Sequence, residues 1–185
     1  MPSQRRRRLR ACLTLLPRFD AGKALGTLGE HGVTVFAGVP TVFSRLLRQP
    51  DRDAYDVSRL RVSLSGGAAM PVQVLHDFQA AFDCVVLEGY GMSETSPVAS
   101  FNPLQAGPKP GSVGIPIRGV EMRVVDNGAE VPQGDTGEIA IRGHNVIKGY
   151  WQRGDRHRDP GRLVLHRGPR PGRPGRILLD RRTDE

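Results

Sequence analysis

The chemistry-bearing residues of this chain concentrate in Leu87-Glu88-Gly89-Tyr90-Gly91-Met92-Ser93-Glu94-Thr95-Ser96-Pro97, directly after the apolar run Cys84-Val85-Val86. A β-rich run that breaks into a glycine-flanked aromatic, a hydroxyl and a carboxylate predicts a strand delivering a polar loop at its C-terminal end. Open α/β sheets place ligands there. Gly89 and Gly91 let backbone approach a ligand closely, Tyr90 offers a flat face, Ser93 donates to an anionic oxygen and Glu94 can hold Mg²⁺ through a hard oxygen. Together these suit a nucleoside triphosphate. Taken alone, the stretch also fits a plain turn followed by a solvated glutamate, so the surrounding elements must decide.

Asp20 predicts a capped helix over about Ala21 to Glu30, ended by His31-Gly32. The β-branched content of Val33-Thr34-Val35-Phe36-Ala37 then predicts a buried strand. His31 at a helix C-terminus reads more simply as a complement to the helix dipole than as a catalytic base. Pro40 near the first position of a second helix places Val42, Phe43, Leu46 and Leu47 on one face, which is core by default and in part a candidate lining for an apolar substrate. Leu60-Arg61-Val62-Ser63-Leu64 is a strand opening into Ser65-Gly66-Gly67-Ala68-Ala69-Met70, and Pro71 starts a third helix to about Phe82. Gly66-Gly67 and the Tyr90 stretch therefore sit one α/β unit apart on the same sheet edge, where two such loops can sandwich a planar ring. Beyond Pro97 comes a glycine-rich connection from Gly111 to Pro116. Val120 to Asp126 then alternates with period two, Asn127-Gly128 turns, and Gly137 to Gly143 is another strand. The expected fold is α/β: parallel-sheet units over residues 11–105, followed by an antiparallel β subdomain over 106–153.

A formal net charge of +8 invites a nucleic-acid reading, but its distribution removes it. Residues 1–10 carry five Arg and no acid, residues 151–185 carry ten Arg against five acids, and the intervening residues hold 12 basic against 14 acidic side chains. The basic character belongs to the ends. Residues 1–10 read as an aberrant basic N-terminus. Arg, Gly and Pro recur without periodicity from Gly154 onward, which predicts a disordered tail over 154–185. Cys12 and Cys84 are too few for a disulfide framework and fit a reducing compartment. The apolar run after Arg5 to Arg8 stops at Pro17-Arg18 with no small-residue cleavage site, which argues against export. A cytoplasmic protein is expected, without a transmembrane segment or a specific nucleic-acid partner; peripheral contact with a membrane stays open.

The motifs in order, Val39-Pro40-Thr41, Ser65-Gly66-Gly67-Ala68, Gly89-Tyr90-Gly91-Met92-Ser93-Glu94-Thr95, Gly111-Ser112-Val113-Gly114, Gly137 to Gly143 and Gly149-Tyr150-Trp151, resemble the adenylate-forming superfamily over about Ala11 to Arg153. The likeness is greatest to long-chain fatty-acyl-CoA synthetases. The resemblance implies a two-step ligase: a fatty-acid carboxylate attacks the α-phosphorus of ATP to give an acyl-adenylate and pyrophosphate, then the coenzyme A thiol displaces AMP. It further implies that Gly66, Gly67 and Ala68 line the adenine, while Gly89, Tyr90 and Gly91 hold its other face and edge. Ser93, where the family often has threonine, would contact phosphate, Glu94 would bind Mg²⁺, and Val39 and Pro40 would border the acyl pocket.

The family's glycine- and Ser/Thr-rich phosphate loop, its Gly-Asp ribose motif, its hinge and its C-terminal domain with a catalytic lysine are not found in these 185 residues. The chain thus reads as an internal piece, expected to form no acyl-adenylate alone; a non-catalytic remnant with unpaired sheet edges is the competing reading. A DNA-binding protein acting through its arginines is a third. A shift of reading frame explains the basic ends. From Gly154 to Thr183 one shifted frame can encode a run containing Gly-Trp-Phe-Ser-Thr-Gly-Asp, like the ribose motif, whereas the other shifted frame cannot supply the Asp, Phe and Tyr residues. At the start, a shift converts Met1 to Arg10 into an Ala-Val-rich run joining Ala11. Resequencing the DNA across the codons for Arg10 and Arg153 is therefore expected to show family sequence in the neighbouring frames on both sides, and finding none contradicts the frameshift.

Overall fold

The computed structural model describes residues 11–105, 109–132, 135–151 and 164–166. Helix α1 spans Ala21–Glu30 because Asp20, in extended conformation, accepts a 2.9 Å hydrogen bond from the Lys23 amide through Oδ1 and so satisfies a first-turn donor. Exposed His31 is its C-cap. Strand β1 follows at Val35–Gly38, and α2 at Pro40–Leu47, with Pro40 in the first turn where a missing N–H costs nothing. A short 3₁₀ turn at Arg52–Ala54 leads to β2 (Val62–Ser65), α3 (Val72–Phe82) and β3 (Val85–Tyr90).

Strands β1, β2 and β3 are parallel, in the register Val35–Val62–Val85 through Ala37–Leu64–Leu87. Two successive crossovers in one direction put α2 and α3 on the same face. There Leu25 and Leu28 of α1, Phe43 and Leu46 of α2, and Leu75, Phe78 and Phe82 of α3 form one core with Val86. Phe78 is its centre: fully buried, it meets Phe43 edge-on at 4.7 Å and stacks on Phe82 at 4.2 Å. Cys84 packs into this core with Sγ 3.5 Å from Ser63 Oγ, and burial pushes its thiol pKa up, so it behaves as a small apolar residue.

The first sheet is completed by β4 (Ser100–Phe101) and β5 (Ile115–Pro116), both antiparallel, in the order β1-β2-β3-β4-β5. A second sheet, in the order β7-β6-β8-β9, contains β6 (Val120–Asp126), β7 (Ala129–Glu130), β8 (Glu138–Gly143) and β9 (Val164–His166). All its pairings are antiparallel. Val120, Ile139 and Ile141 pack with Ala99, and Tyr90 and Met92 lie against them, so the two sheets share a small apolar cluster. Among the described residues no helix is long and apolar enough to cross a membrane.

Three expectations change. The strand expected to be buried at Val33 to Ala37 is the edge of its sheet: Val35 and Ala37 are exposed, and only the Phe36 side faces the helices. β-Branched content reports strand, not position within the sheet. The change of sheet falls between Pro116 and Val120 rather than at 106, because β5 pairs with β4. Val164–His166, inside the stretch expected to be disordered, adds a strand to β8 by antiparallel backbone pairing with Ile139 to Ile141. The basic N-terminus and the rest of the tail lie outside the described residues.

Aromatic packing outweighs capping here. Phe78→Ala is expected to lower stability by about 3–5 kcal/mol, and Asp20→Ala by only about 1 kcal/mol, both read from urea denaturation midpoints.

Candidate nucleotide site

Parallel register brings the C-terminal ends of β1, β2 and β3 to one edge, and each end opens into one of the loops singled out in the sequence. After β1 come Val39 and Pro40: Val39 is exposed, but Pro40 is buried as the start of α2. After β2 come Gly66, Gly67 and Ala68, with Gly67 and Ala68 exposed. The Gly66 amide donates to the Gly38 carbonyl at 3.3 Å, stitching this loop to the first. Gly67 has φ +82°, a conformation that favours glycine, and a Cβ there would stand 3.4 Å from Val39 Cγ1. A Cβ on Gly66 would stand 3.5 Å from the Gly89 carbonyl oxygen, so the second and third loops also adjoin.

The third stretch differs from the expected loop. Strand β3 does not stop at Val86; it runs through Leu87, Glu88, Gly89 and Tyr90, because β4 pairs antiparallel with Gly89 and Tyr90. The loop begins at Gly91 and turns into a 3₁₀ segment, Ser93–Thr95. Glycine is required here for packing within the chain: a Cβ on Gly89 would come within 2.4 Å of the Phe101 ring, and one on Gly91 would collide with the Pro97 carbonyl. At both glycines a close approach is made within the chain, to the Phe101 ring and to the Pro97 carbonyl. Tyr90 is half-buried against the shared apolar cluster, and burial, reinforced by the charge of Glu94, pushes its hydroxyl pKa up to about 12. It is a protonated, apolar-faced ring at neutral pH.

Fully buried Thr95 shapes the turn. Its Oγ1 accepts from the Met92 amide at 2.9 Å and lies 3.0 Å from the Met92 and Pro97 carbonyls, to one of which it donates. Ser93 is left exposed and Glu94 half-buried. Glu94 is held by the segment after β8: its carbonyl accepts from the Ile147 amide at 2.9 Å, and its Oε1 accepts from the Tyr150 hydroxyl at 2.6 Å. Asn145 adds a third tie, donating from Nδ2 to the Val98 carbonyl at 2.7 Å.

Glu88, to which the residue pattern assigned no role, lies beneath the edge at 6% exposure. Its Oε2 accepts from the Gly111 amide at 3.0 Å and its Oε1 from the Met70 amide at 3.4 Å, joining the end of the Gly66 loop to the Gly111-Ser112-Val113-Gly114 segment. Burial raises its pKa, and the two backbone donors only partly offset this. The same segment is fixed by Ser100 Oγ donating to the Val113 carbonyl at 2.9 Å and Asn102 Nδ2 to the Ser112 carbonyl at 2.7 Å. No periodicity marks a carboxylate that bridges two loops far apart in sequence; a Glu inside a strand between apolar residues was the one available signal.

Among the described residues no group of three or more His, Cys, Asp or Glu could hold a metal. One carboxylate with neighbouring hydroxyls nevertheless suits Mg²⁺, which keeps several waters and takes its remaining ligands from substrate phosphates rather than from a protein cage. An open groove of about 530 Å³ lies elsewhere, between α2 and α3 beside Ser44, Leu47, Arg48 and Asp77, and includes none of the strand-end loops.

Comparison with known proteins matches residues 8–151 to the family described as AMP-binding enzyme. The chain belongs to the AMP-binding enzyme family. The matched span agrees with the extent of the motifs. Long-chain-fatty-acid–CoA ligase of Bacillus subtilis (strain 168) is 37% identical over 143 residues, covering 76% of this chain and 26% of that protein. 4-Coumarate–CoA ligase 1 of Glycine max is 35% identical over 155 residues, covering 79% and 52%. Among solved structures, ATP-bound MatB from Rhodopseudomonas palustris superposes with TM-score 0.71 at 36% identity, covering 81% of this chain and 30% of that one. Anthranilate CoA ligase AuaEII in complex with anthranoyl-AMP gives TM-score 0.77 at 27% identity, covering 84% and 31%. This AMP-binding chain therefore spans about a quarter to a half of the curated relatives it matches.

Glu88 gives a pH signature. Because its folded pKa is raised, the native state keeps the proton after the unfolded chain has lost it, so stability falls as pH rises from the ordinary glutamate value through the folded one. Glu88→Gln is expected to remove that fall while costing about 1–3 kcal/mol at low pH, since an amide nitrogen cannot accept from one of the two backbone donors; chemical denaturation at stepped pH measures both.

Proposed function

We propose that this chain carries the nucleotide-binding edge of an ATP-dependent acid:CoA ligase acting on fatty acids. The observation that carries the reading is the convergence of three motif loops at the C-terminal ends of three adjacent parallel strands, the position where such sheets bind ligands. The names of relatives support the ligase class, and those of Bacillus subtilis and of Escherichia coli, the latter 38% identical over 131 residues, support the long-chain fatty acid.

In this reading Gly66, Gly67 and Ala68 flank one side of the adenine, and the strand end at Gly89, Tyr90 and Gly91 provides the other face and edge. The protonated, half-buried Tyr90 keeps that surface apolar and uncharged. Exposed Ser93 donates its hydroxyl to a phosphate oxygen, and Glu94 binds Mg²⁺. Held by Glu94, the cation would supply charge neutralisation on the phosphates; in the first step the fatty-acid carboxylate oxygen bonds to the α-phosphorus and the bond to pyrophosphate breaks. Coenzyme A thiolate then forms the thioester and AMP leaves. Val39 borders the acyl chain with its exposed side chain, and Pro40 acts from below by starting α2.

Calorimetric titration of the chain with ATP tests this. Binding in Mg²⁺ is expected to weaken on the order of tenfold in Glu94→Ala, a loss of one charge-assisted contact, while adenosine binding stays unchanged. Absence of any adenosine or ATP binding, with the fold intact by circular dichroism, contradicts the reading.

A further inference from the structure

The turn that carries Ser93 and Glu94 is held at its base by one sheet and at its outer part by the other. At the base the Ala99 amide donates to the Tyr90 carbonyl at 2.8 Å, and Gly89 and Tyr90 pair with β4, so the first sheet places the strand end. The outer part is held by the segment after β8. There the Ile147 amide donates to the Glu94 carbonyl at 2.9 Å, and Asn145 Nδ2 donates to the Val98 carbonyl at 2.7 Å across 47 residues of sequence. Val98 follows Pro97, whose carbonyl lies 3.0 Å from Thr95 Oγ1, so the hold at Val98 adjoins the contact that folds the turn. Asn145 is closely packed: Val146 lies against the apolar cluster between the sheets, and a Cβ on Gly143 would stand 2.9 Å from Asn145 Oδ1. That Oδ1 is buried with no hydrogen-bond partner among the described residues. Packing alone does not call for an amide here, since a leucine of similar shape would leave no buried side-chain oxygen unpaired. What the amide supplies is the donor to Val98.

We propose that Asn145 is a positioning residue for the phosphate end of the nucleotide, holding the Ser93 turn through Val98 while the first sheet holds the adenine end. The inference rests on the reading that Ser93 and Glu94 face the phosphates. The two ends of one ligand then depend on different sheets. Removing the Asn145–Val98 hydrogen bond leaves the Tyr90–Ala99 closure and the Gly66 loop in place, so the loss falls on the phosphate contacts. Both attachments are to backbone carbonyls, and the hold therefore acts on where the turn lies rather than on its side chains. Coupling runs in both directions: a triphosphate that fixes the turn also slows opening of the hydrogen bond from Ile147.

Two measurements on the whole chain test this. In the wild type, hydrogen exchange at the Ile147 amide is expected to slow when Mg·ATP saturates the site and to stay unchanged with saturating adenosine. In calorimetric titrations, Asn145→Leu, which removes the donor without adding charge, is expected to weaken Mg·ATP binding on the order of three- to tenfold. Adenosine binding stays as in the wild type, and Asn145→Ala behaves likewise. Equal weakening toward both ligands marks a merely structural role and overturns the proposal, as does unchanged Mg·ATP affinity in a folded variant. If neither variant folds, the wild-type exchange decides, and an Ile147 amide indifferent to Mg·ATP overturns it. Wild-type binding no tighter for Mg·ATP than for adenosine refutes the phosphate reading of Ser93 and Glu94, and this inference with it. A preference for Mg·ATP that falls in Glu94→Ala but is kept in full by Asn145→Leu sinks the role of Asn145 alone.

Discussion

The parallel register of β1, β2 and β3 is the constraint on which the remainder depends. Once Val35, Val62 and Val85 are aligned, the three strands end together, and whatever follows each strand is delivered to one edge. Burial enforces this alignment: one face must pack on the helix layer, and slipping a strand by one residue would turn Phe36, Ser63 and Val86 to the opposite side. The aromatic stack of Phe43, Phe78 and Phe82 fixes the helices that complete the crossovers. Core packing and site geometry are thus two consequences of one arrangement.

A second layer of control comes from polar groups that tie the loops together. Buried Glu88 joins the Gly66 loop to the Gly111 segment, Thr95 folds the Ser93 turn on itself, and the segment from Asn145 to Tyr150 holds that turn from outside. Each tie places backbone or side chain without itself needing to touch a ligand. Ser93 is left exposed, while Thr95, its neighbour but one, takes the structural hydrogen bonding of the turn.

Much of this was legible in the residues. Asp20, Pro40 and Pro71 mark helix starts by local chemistry, and the structure begins its helices beside them; the alternation of Val120 to Asp126 gives β6 with its ends unchanged. What local pattern could not give depends on partners distant in sequence. Strand β3 extends to Tyr90 only because Ser100 and Phe101 pair with it, and Val35 is exposed only because no described strand lies beyond β1. The glycines of the motif illustrate the same limit. Their identity is evident in sequence, but the reason for Gly91 is the Pro97 carbonyl lying where a Cβ would be. Glu88 and Tyr150 were visible as residues and silent as contacts.

The claim at the centre of this account is that the three strand-end loops form one nucleotide surface. Amide chemical-shift mapping of the isotopically labelled chain, titrated with ATP and Mg²⁺, tests it most directly. The account predicts saturable shifts clustered at residues 66–70 and 89–95, with the α2–α3 groove around Ser44 and Asp77 unmoved. Shifts confined to that groove, or spread over the arginines without saturation, would contradict it.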